Sequence, residues 1–464
     1  ASATRLDDKK EGISNRLSYG YKQRYFADAI ATYSGSQNFM PGKRFGWFPA
    51  IAAGWIVSEE NFLKGNKIID YFKLRGSYGI VGNEAIGASR RFAFNDYFTR
   101  GGSQYFFGTG YSAVANTDQL DLANPNLTWE KAIKSSVGFD AQFLKQSLSL
   151  SVDVFKEHRK NLLTADLAPS IIGQPLVNIN AGEAQYKGVE ANLNYNKTIN
   201  QFTFGVHGNY TYAKSKILKL NEEAGIPAYQ RQVGYPIGGV VNGTGTVRRF
   251  LISQGLFQSE EEIAAAPVQR FSGNVKPGDI RYKDINGDGV IDNLDFVSTN
   301  YSDIPTSYFG FGGSVKYKNF DMNFLFHGVA GRTIQINTLV NAGTSNTGYI
   351  NQFSAYRWTQ ATAQEALYPR LTINDRINNT QNSDFWLRSG DFIRLKHVEL
   401  GYSLSANALK KLKISQCRFY VTGFNLLTFD KLNGFPIDPE MPDAGYNSSY
   451  PALATFALGL NLKF

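Results

Sequence analysis

Residues 284–295 read DINGDGVIDNLD, and they place oxygen donors at the spacing a hard divalent cation requires. Asp284, Asn286 and Asp288 take positions 1, 3 and 5 of a twelve-residue calcium loop, and Gly289 at position 6 permits its sharp turn. Val290 offers a backbone carbonyl at 7, Asp292 falls at 9 and Asp295 closes the loop at 12. Position 12 is Asp where Glu is usual, so its shorter arm reaches less far as a bidentate ligand. The expected ligand is Ca2+ in a structural role, neutralising carboxylates and fixing the surrounding chain. A turn rich in Asp and Asn, held by its own hydrogen bonds, is the plain alternative. No helix–loop–helix pattern flanks the loop. Upstream, Ser259 stands three residues before Glu262, the capping-box spacing that starts a short helix.

Other reactive residues are sparse. The histidines His158, His207, His327 and His397 are dispersed through alternating segments without metal-ligand spacing. No GxSxG elbow, P-loop or GxGxxG stretch occurs, and Glu260 to Glu262 read as a solvated first helical turn. The expectation is a chain that is not an enzyme. The single cysteine, Cys417, excludes an intrachain disulfide framework. Net charge is +9, but Lys and Arg are scattered, which argues against nucleic acid and leaves contact with lipid open. Two aromatic clusters offer faces for stacking on cargo: Tyr105, Phe106, Phe107 and Tyr111, then Phe45, Trp47 and Phe48. Loop packing or a membrane-interface girdle would use the same residues.

The elements that must carry these groups are strands. In 135–157, Val137, Phe139, Ala141 and Phe143 alternate with Ser136, Gly138, Asp140 and Gln142. After a turn at 144–146, Leu148, Leu150, Val152 and Val154 alternate with Ser149, Ser151 and Asp153. Period-two alternation across a tight turn predicts a β-hairpin. The pattern recurs and predicts about thirteen strands: 13–21, 25–34, 49–57, 71–79, 129–143, 147–160, 185–197, 201–214, 306–318, 320–332, 391–404, 415–428 and 451–463. A helical turn is expected in SANALKKLK, after the 391–404 strand. Many of these strands reach the roughly 9 to 11 residues a tilted membrane strand needs. Short turns at 144–146, 197–200 and 318–319 alternate with long connections at 80–128, 161–184, 214–305, 333–390 and 429–449. That asymmetry fits an outer-membrane barrel, with short periplasmic turns and long extracellular loops, better than a soluble sandwich. No apolar run approaches the roughly 20 residues of a membrane helix. The closing segment YPALATFALGLNLKF alternates and ends on Phe464, as bacterial barrels do.

KRFGWFPAIAAGWIVSEENFL, FKLRGSYGIVGNEAIG, LTWEKAIKSSVGFD, KPGDIRYKDINGDGVID and DFIRLKHVELGYSL resemble the SusC/RagA family of TonB-dependent outer-membrane transporters. FYVTGFNLLTFDK and YPALATFALGLNLKF extend the resemblance, which spans nearly the whole chain in order. It implies an all-β antiparallel transmembrane barrel of 22 strands around a plug, of which residues 1–464 would supply the C-terminal part. No plug domain and no TonB box is found in these residues, so the resemblance alone implies them. Within it, 214–305 is expected as a long extracellular loop carrying the calcium loop. The resemblance further implies import of oligosaccharide, with peptide next, a SusD-like surface lipoprotein and energy from TonB–ExbB–ExbD. A siderophore or vitamin receptor, or a surface component of a larger outer-membrane assembly, is the alternative.

Overall fold

The computed structural model describes residues 9–85, 91–165, 167, 178–237, 249–336, 355–372, 377–405, 409–410, 414–432, 437–441 and 452–464, without the side chains of residues 100–104, 120 and 121. Thirteen strands are joined in chain order into one sheet: Lys10–Tyr21, Tyr25–Ser36, Phe45–Ile56, Ile69–Asn83, Glu130–Phe143, Leu148–Thr164, Ile179–Ile199, Phe202–Lys219, Ser307–Tyr317, Phe320–Ala330, Phe392–Ser403, Gln416–Asp430 and Thr455–Lys463. Each of the thirteen expected strands is present, and the all-β antiparallel class is the observed one. The largest shifts in boundary are at Ile179–Ile199, which starts before the expected 185, and at Phe202–Lys219, which runs on past 214. Residues 406–408 and 411–413 of the expected helical turn lie outside the described residues. Among the described residues, no helix is long and apolar enough to cross a membrane.

One unit comprises residues 1–193 and 213–225. In it Glu130–Phe143 pairs with Leu148–Thr164, setting Val137 opposite Val154 and Phe139 opposite Val152. Val137 and Val154 are 68% and 60% exposed, so the apolar phase of the alternation faces outward rather than into a protein core. The turn that joins these strands places Leu144, Lys145 and Gln146 at φ of 58°, 59° and 63°. Non-glycine residues rarely adopt that region, but its twist matches the right-handed twist of flanking strands. The connection expected as 80–128 holds a hairpin of its own, Tyr97–Phe107 with Ser112–Asp121. A compact cluster of Phe39, Phe48, Ala93, Leu127 and Trp129 packs near it in sequence, and the Trp129 indole N–H donates to the Arg44 carbonyl at 2.8 Å.

The second unit comprises residues 194–212 and 226–464. Phe202–Lys219 pairs with Ser307–Tyr317, and the ladder continues through Phe320–Ala330, Phe392–Ser403 and Gln416–Asp430 to Thr455–Lys463. Its final strand exposes Phe456, Leu458, Leu460 and Leu462. The described parts of the long connections have packing of their own. Leu251, Ile280, Tyr282, Ile291, Ile334, Ile336, Tyr368, Trp386 and Leu432 form one buried core. Two polar pairs flank it: Arg370 meets the fully buried Asp279 at 2.7 Å, and the Gln269 side-chain amide donates to the Asn378 side-chain oxygen at 2.7 Å.

Candidate functional site

The loop at 284–295 folds around its own backbone. Gly287 and Gly289 adopt φ of 77° and 81°, the left-handed region where a side chain would be strained. These conformations turn successive N–H groups inward. Asp284 Oδ1 accepts from Gly287 N–H at 2.6 Å and its Oδ2 from Gly289 N–H at 2.8 Å. Asp288 Oδ1 accepts from Val290 N–H at 2.8 Å, and the Asn286 amide donates to Asp288 Oδ2 at 2.9 Å. Asp295 is fully buried and accepts from Ile285 N–H and Asp292 N–H, each at 2.8 Å. Asp292 Oδ1 accepts from Leu294 N–H at 2.9 Å. Val290 and Ile291 are held by a short parallel pairing with Val268 and Gln269.

Four carboxylates therefore sit within one short segment. Burial first, and then the negative charge of Asp295, Asp288, Asp284 and Asp292, pushes the Tyr229 hydroxyl above its usual pKa. A nearby cation is Arg270, 3.7 Å from Asp292. The donors are all oxygen, as a hard cation prefers, and carboxylate oxygens that accept one N–H keep a lone pair free. Among the described residues, no three His, Cys, Asp or Glu side chains converge as a ready-made ligand set, and the carboxylates serve backbone N–H groups instead. The expected short helix is Glu260–Ala265, with Ser259 accepting from Glu262 N–H at 3.3 Å. The Glu262 side chain reaches Gln258 N–H at 2.8 Å, one residue before the cap.

The first aromatic cluster lies on the Tyr97–Phe107 hairpin. Tyr105, Phe106, Phe107 and Tyr111 are 65%, 55%, 56% and 77% exposed, and the Tyr105 and Phe107 rings approach to 4.8 Å. The hairpin presents them to solvent. The second cluster is split by strand alternation. Phe45 and Trp47 lie against Tyr33 at 4.9 and 4.8 Å on one face, while Phe48 packs against Trp129 at 5.1 Å.

Sequence reading did not single out the ionic networks on the polar face. Arg75 donates to Asp140 at 3.0 Å and to Ser151 at 3.1 Å, and also binds Asp153. In the second unit Arg418 bridges Asp321 at 3.1 Å and Glu399 at 2.6 Å, and Thr422 donates to Glu399 at 3.0 Å. The signal was there in the polar phase of strands such as SVDVF and GFDAQF, but the partners come from three strands at once. These networks give each unit's strands a wet, charged face opposite the apolar one.

A family model described as TonB dependent receptor-like, beta-barrel, matches residues 16–426. TonB-dependent receptor P3 of Formosa agariphila is 29% identical over 477 residues, covering 97% of this chain and 45% of that protein. TonB-dependent receptor SusC of Bacteroides thetaiotaomicron is 27% identical over 464 residues, covering 97% and 43%. A solved structure of the RagAB peptide importer in its open-open state superposes with a TM-score of 0.74 at 20% identity, over 98% of this chain and 47% of that one. The last likeness concerns fold alone. The chain spans less than half the length of these curated relatives, which are receptors rather than enzymes. The matched residues run through twelve of the thirteen sheet strands, and the chain belongs to the TonB-dependent receptor-like β-barrel family of the bacterial outer membrane.

Proposed function

We propose that this chain is the barrel portion of a SusC-type transporter that takes oligosaccharide across the outer membrane. The observation that carries the reading is the two-sidedness of the strands. One face is apolar enough for lipid, while the other holds the Arg75 and Arg418 networks, with their charges already paired. A wall of that kind suits a hydrated, hydroxyl-rich cargo, because its charges are satisfied without the cargo's help. The exposed rings of Tyr105, Phe106, Phe107 and Tyr111 are proposed as a stacking surface for sugars. Peptide is the second cargo class. A SusD-like lipoprotein and TonB–ExbB–ExbD are the proposed partners, and the long-connection edge is placed outside the cell.

The test uses the whole native protein in its own membrane. Deleting its gene should abolish uptake of fluorescent oligosaccharides, restoring it should return uptake, and a surface lipoprotein should copurify. Loss of iron–siderophore uptake with oligosaccharide uptake intact would replace this reading with the siderophore one.

The 284–295 loop is proposed to hold structural Ca2+ through Asp284, Asn286, Asp288, Val290, Asp292 and Asp295. Asp284→Ala combined with Asp288→Ala removes two of the four carboxylates and the N–H contacts that shape the loop. Calorimetric titration with calcium should show binding to the native protein and its loss in the double variant. Equal binding by both proteins would exclude the loop.

A further inference from the structure

The apolar face of four neighbouring strands ends in lysines. On Leu148–Thr164 the outward residues Val152 and Val154 are followed, at two-residue steps, by Lys156, His158 and Lys160. Their register partners on Glu130–Phe143 are Ser135, Ile133 and Lys131. On Ile179–Ile199 the same phase runs Leu193, Ala191, Val189 and then Lys187. On Phe202–Lys219 it runs Phe202, Phe204 and Val206, then Tyr210 and Tyr212, then Lys214 and Lys216. Each change from apolar to cationic falls toward the long connections.

These lysines lack acidic partners. Among the described residues, none of the six has a carboxylate within ion-pair reach, whereas Lys134 and Arg159 on the opposite face share Glu157. The carboxylate on this face, Glu183, is engaged by His158 at 2.9 Å. Lys131 and Lys160 stand directly opposite each other in the ladder, an arrangement that repels unless an anion lies between or above the pair. Below the lysines the same face is lipid-facing, and Tyr210 and Tyr212 mark the interface between the two zones.

We propose that Lys131, Lys156, Lys160, Lys187, Lys214 and Lys216 form a collar that binds the phosphates of an anionic lipid. Its acyl chains lie on the valines and leucines beneath, and the lysine stems extend along that apolar surface to hold the ammonium groups at headgroup height. The occupant must carry both negative charge and acyl chains, because the cationic rim is continuous with the apolar band, and phosphate is the common anion of a lipid headgroup. A free anion would use only the rim.

The test uses the native protein in phosphatidylcholine nanodiscs, with and without a bis-phosphorylated glucosamine lipid. Lipid retained on the protein after detergent exchange is counted by native mass spectrometry. Combining Lys156→Gln, Lys160→Gln and Lys187→Gln should lower affinity by about fivefold per lysine at low salt. Lys22→Gln, Lys145→Gln and Lys318→Gln remove the same charge at the short-turn edge and should leave retention unchanged. Retention of the dephosphorylated lipid at the same level, or an equal loss in both triple variants, would overturn the collar.

Discussion

Trp386→Ala is expected to open the core of the long connections in the second unit, at a cost of about 3–5 kcal/mol. Trp386 is 1% exposed, and its ring packs against Phe385 and Tyr368 at 4.9 and 6.1 Å. Its indole N–H donates to the Asn379 carbonyl at 2.9 Å, and its own carbonyl accepts from Ile336 N–H at 2.9 Å. Alanine leaves a cavity that segments far apart in sequence would have to collapse into together. Their backbone is held by polar groups that cannot shift independently: Ile280 N–H donates to the Asn379 side chain at 2.9 Å and Tyr282 N–H to that of Gln269 at 2.7 Å. Amide hydrogen exchange at Ile280 and Tyr282 should therefore quicken by roughly a hundred- to a few-thousand-fold. Amides of the sheet strands should hold their protection, because their ladder does not depend on this core. Unchanged exchange at Ile280 and Tyr282 would show that the connections are fixed by something other than this packing.

The contrast between sheet and connections also explains what was legible beforehand. A strand with lipid on one side and water on the other must alternate, so Leu148 to Val154 announces itself residue by residue. The connection core carries no such period. Leu251, Ile280 and Trp386 come from short segments, FLI, IRY and DFWL, too brief to show a period, and only their meeting in space marks them. The Tyr97–Phe107 hairpin was hidden for a related reason: its register shifts between Tyr97 and Phe98 and again between Arg100 and Gln104, which breaks the alternation that would reveal it. The acidic loop sits between these cases. Its donor spacing is readable because a turn of twelve residues is local, but the assignment of each carboxylate to particular N–H groups depends on the left-handed Gly287 and Gly289. Charge placement was half legible. Arg75, Asp140 and Asp153 each sit in the polar phase of their strands, yet which of them meet depends on the register of three strands.

Arg394→Met is expected to be comparably severe, because it strands buried charge rather than removing packing. Arg394 is 2% exposed and Asp438 9%; the guanidinium donates to Asp438 at 2.6 Å and to Thr428 at 2.8 Å, and also binds Glu440. Removing one member of a buried pair costs about 3–5 kcal/mol, since the remaining charge loses its partner in a poorly solvated place. Burial resists ionisation of Asp438, but hydrogen bonds from Arg394 and from the N–H groups of Glu440 and Ala452 hold its pKa below the usual carboxylate value. A depressed native pKa stabilises the folded segment above the unfolded value of about 4, and that stabilisation is lost as pH falls through the lower native one. Protease cleavage within 437–441 should thus be slow near neutral pH and accelerate in acid. His327 and Lys396 also face Glu440, at 3.4 and 3.7 Å, so Asp438→Asn is needed to isolate the aspartate's share. Arg394→Met and Asp438→Asn should both be cleaved rapidly at neutral pH, with little further acceleration in acid. If either variant kept the native protein's slow neutral cleavage, the anchor of this connection would lie elsewhere, with Arg332, which donates to the Met441 carbonyl at 2.9 Å and also binds that of Pro439, as the next group to replace.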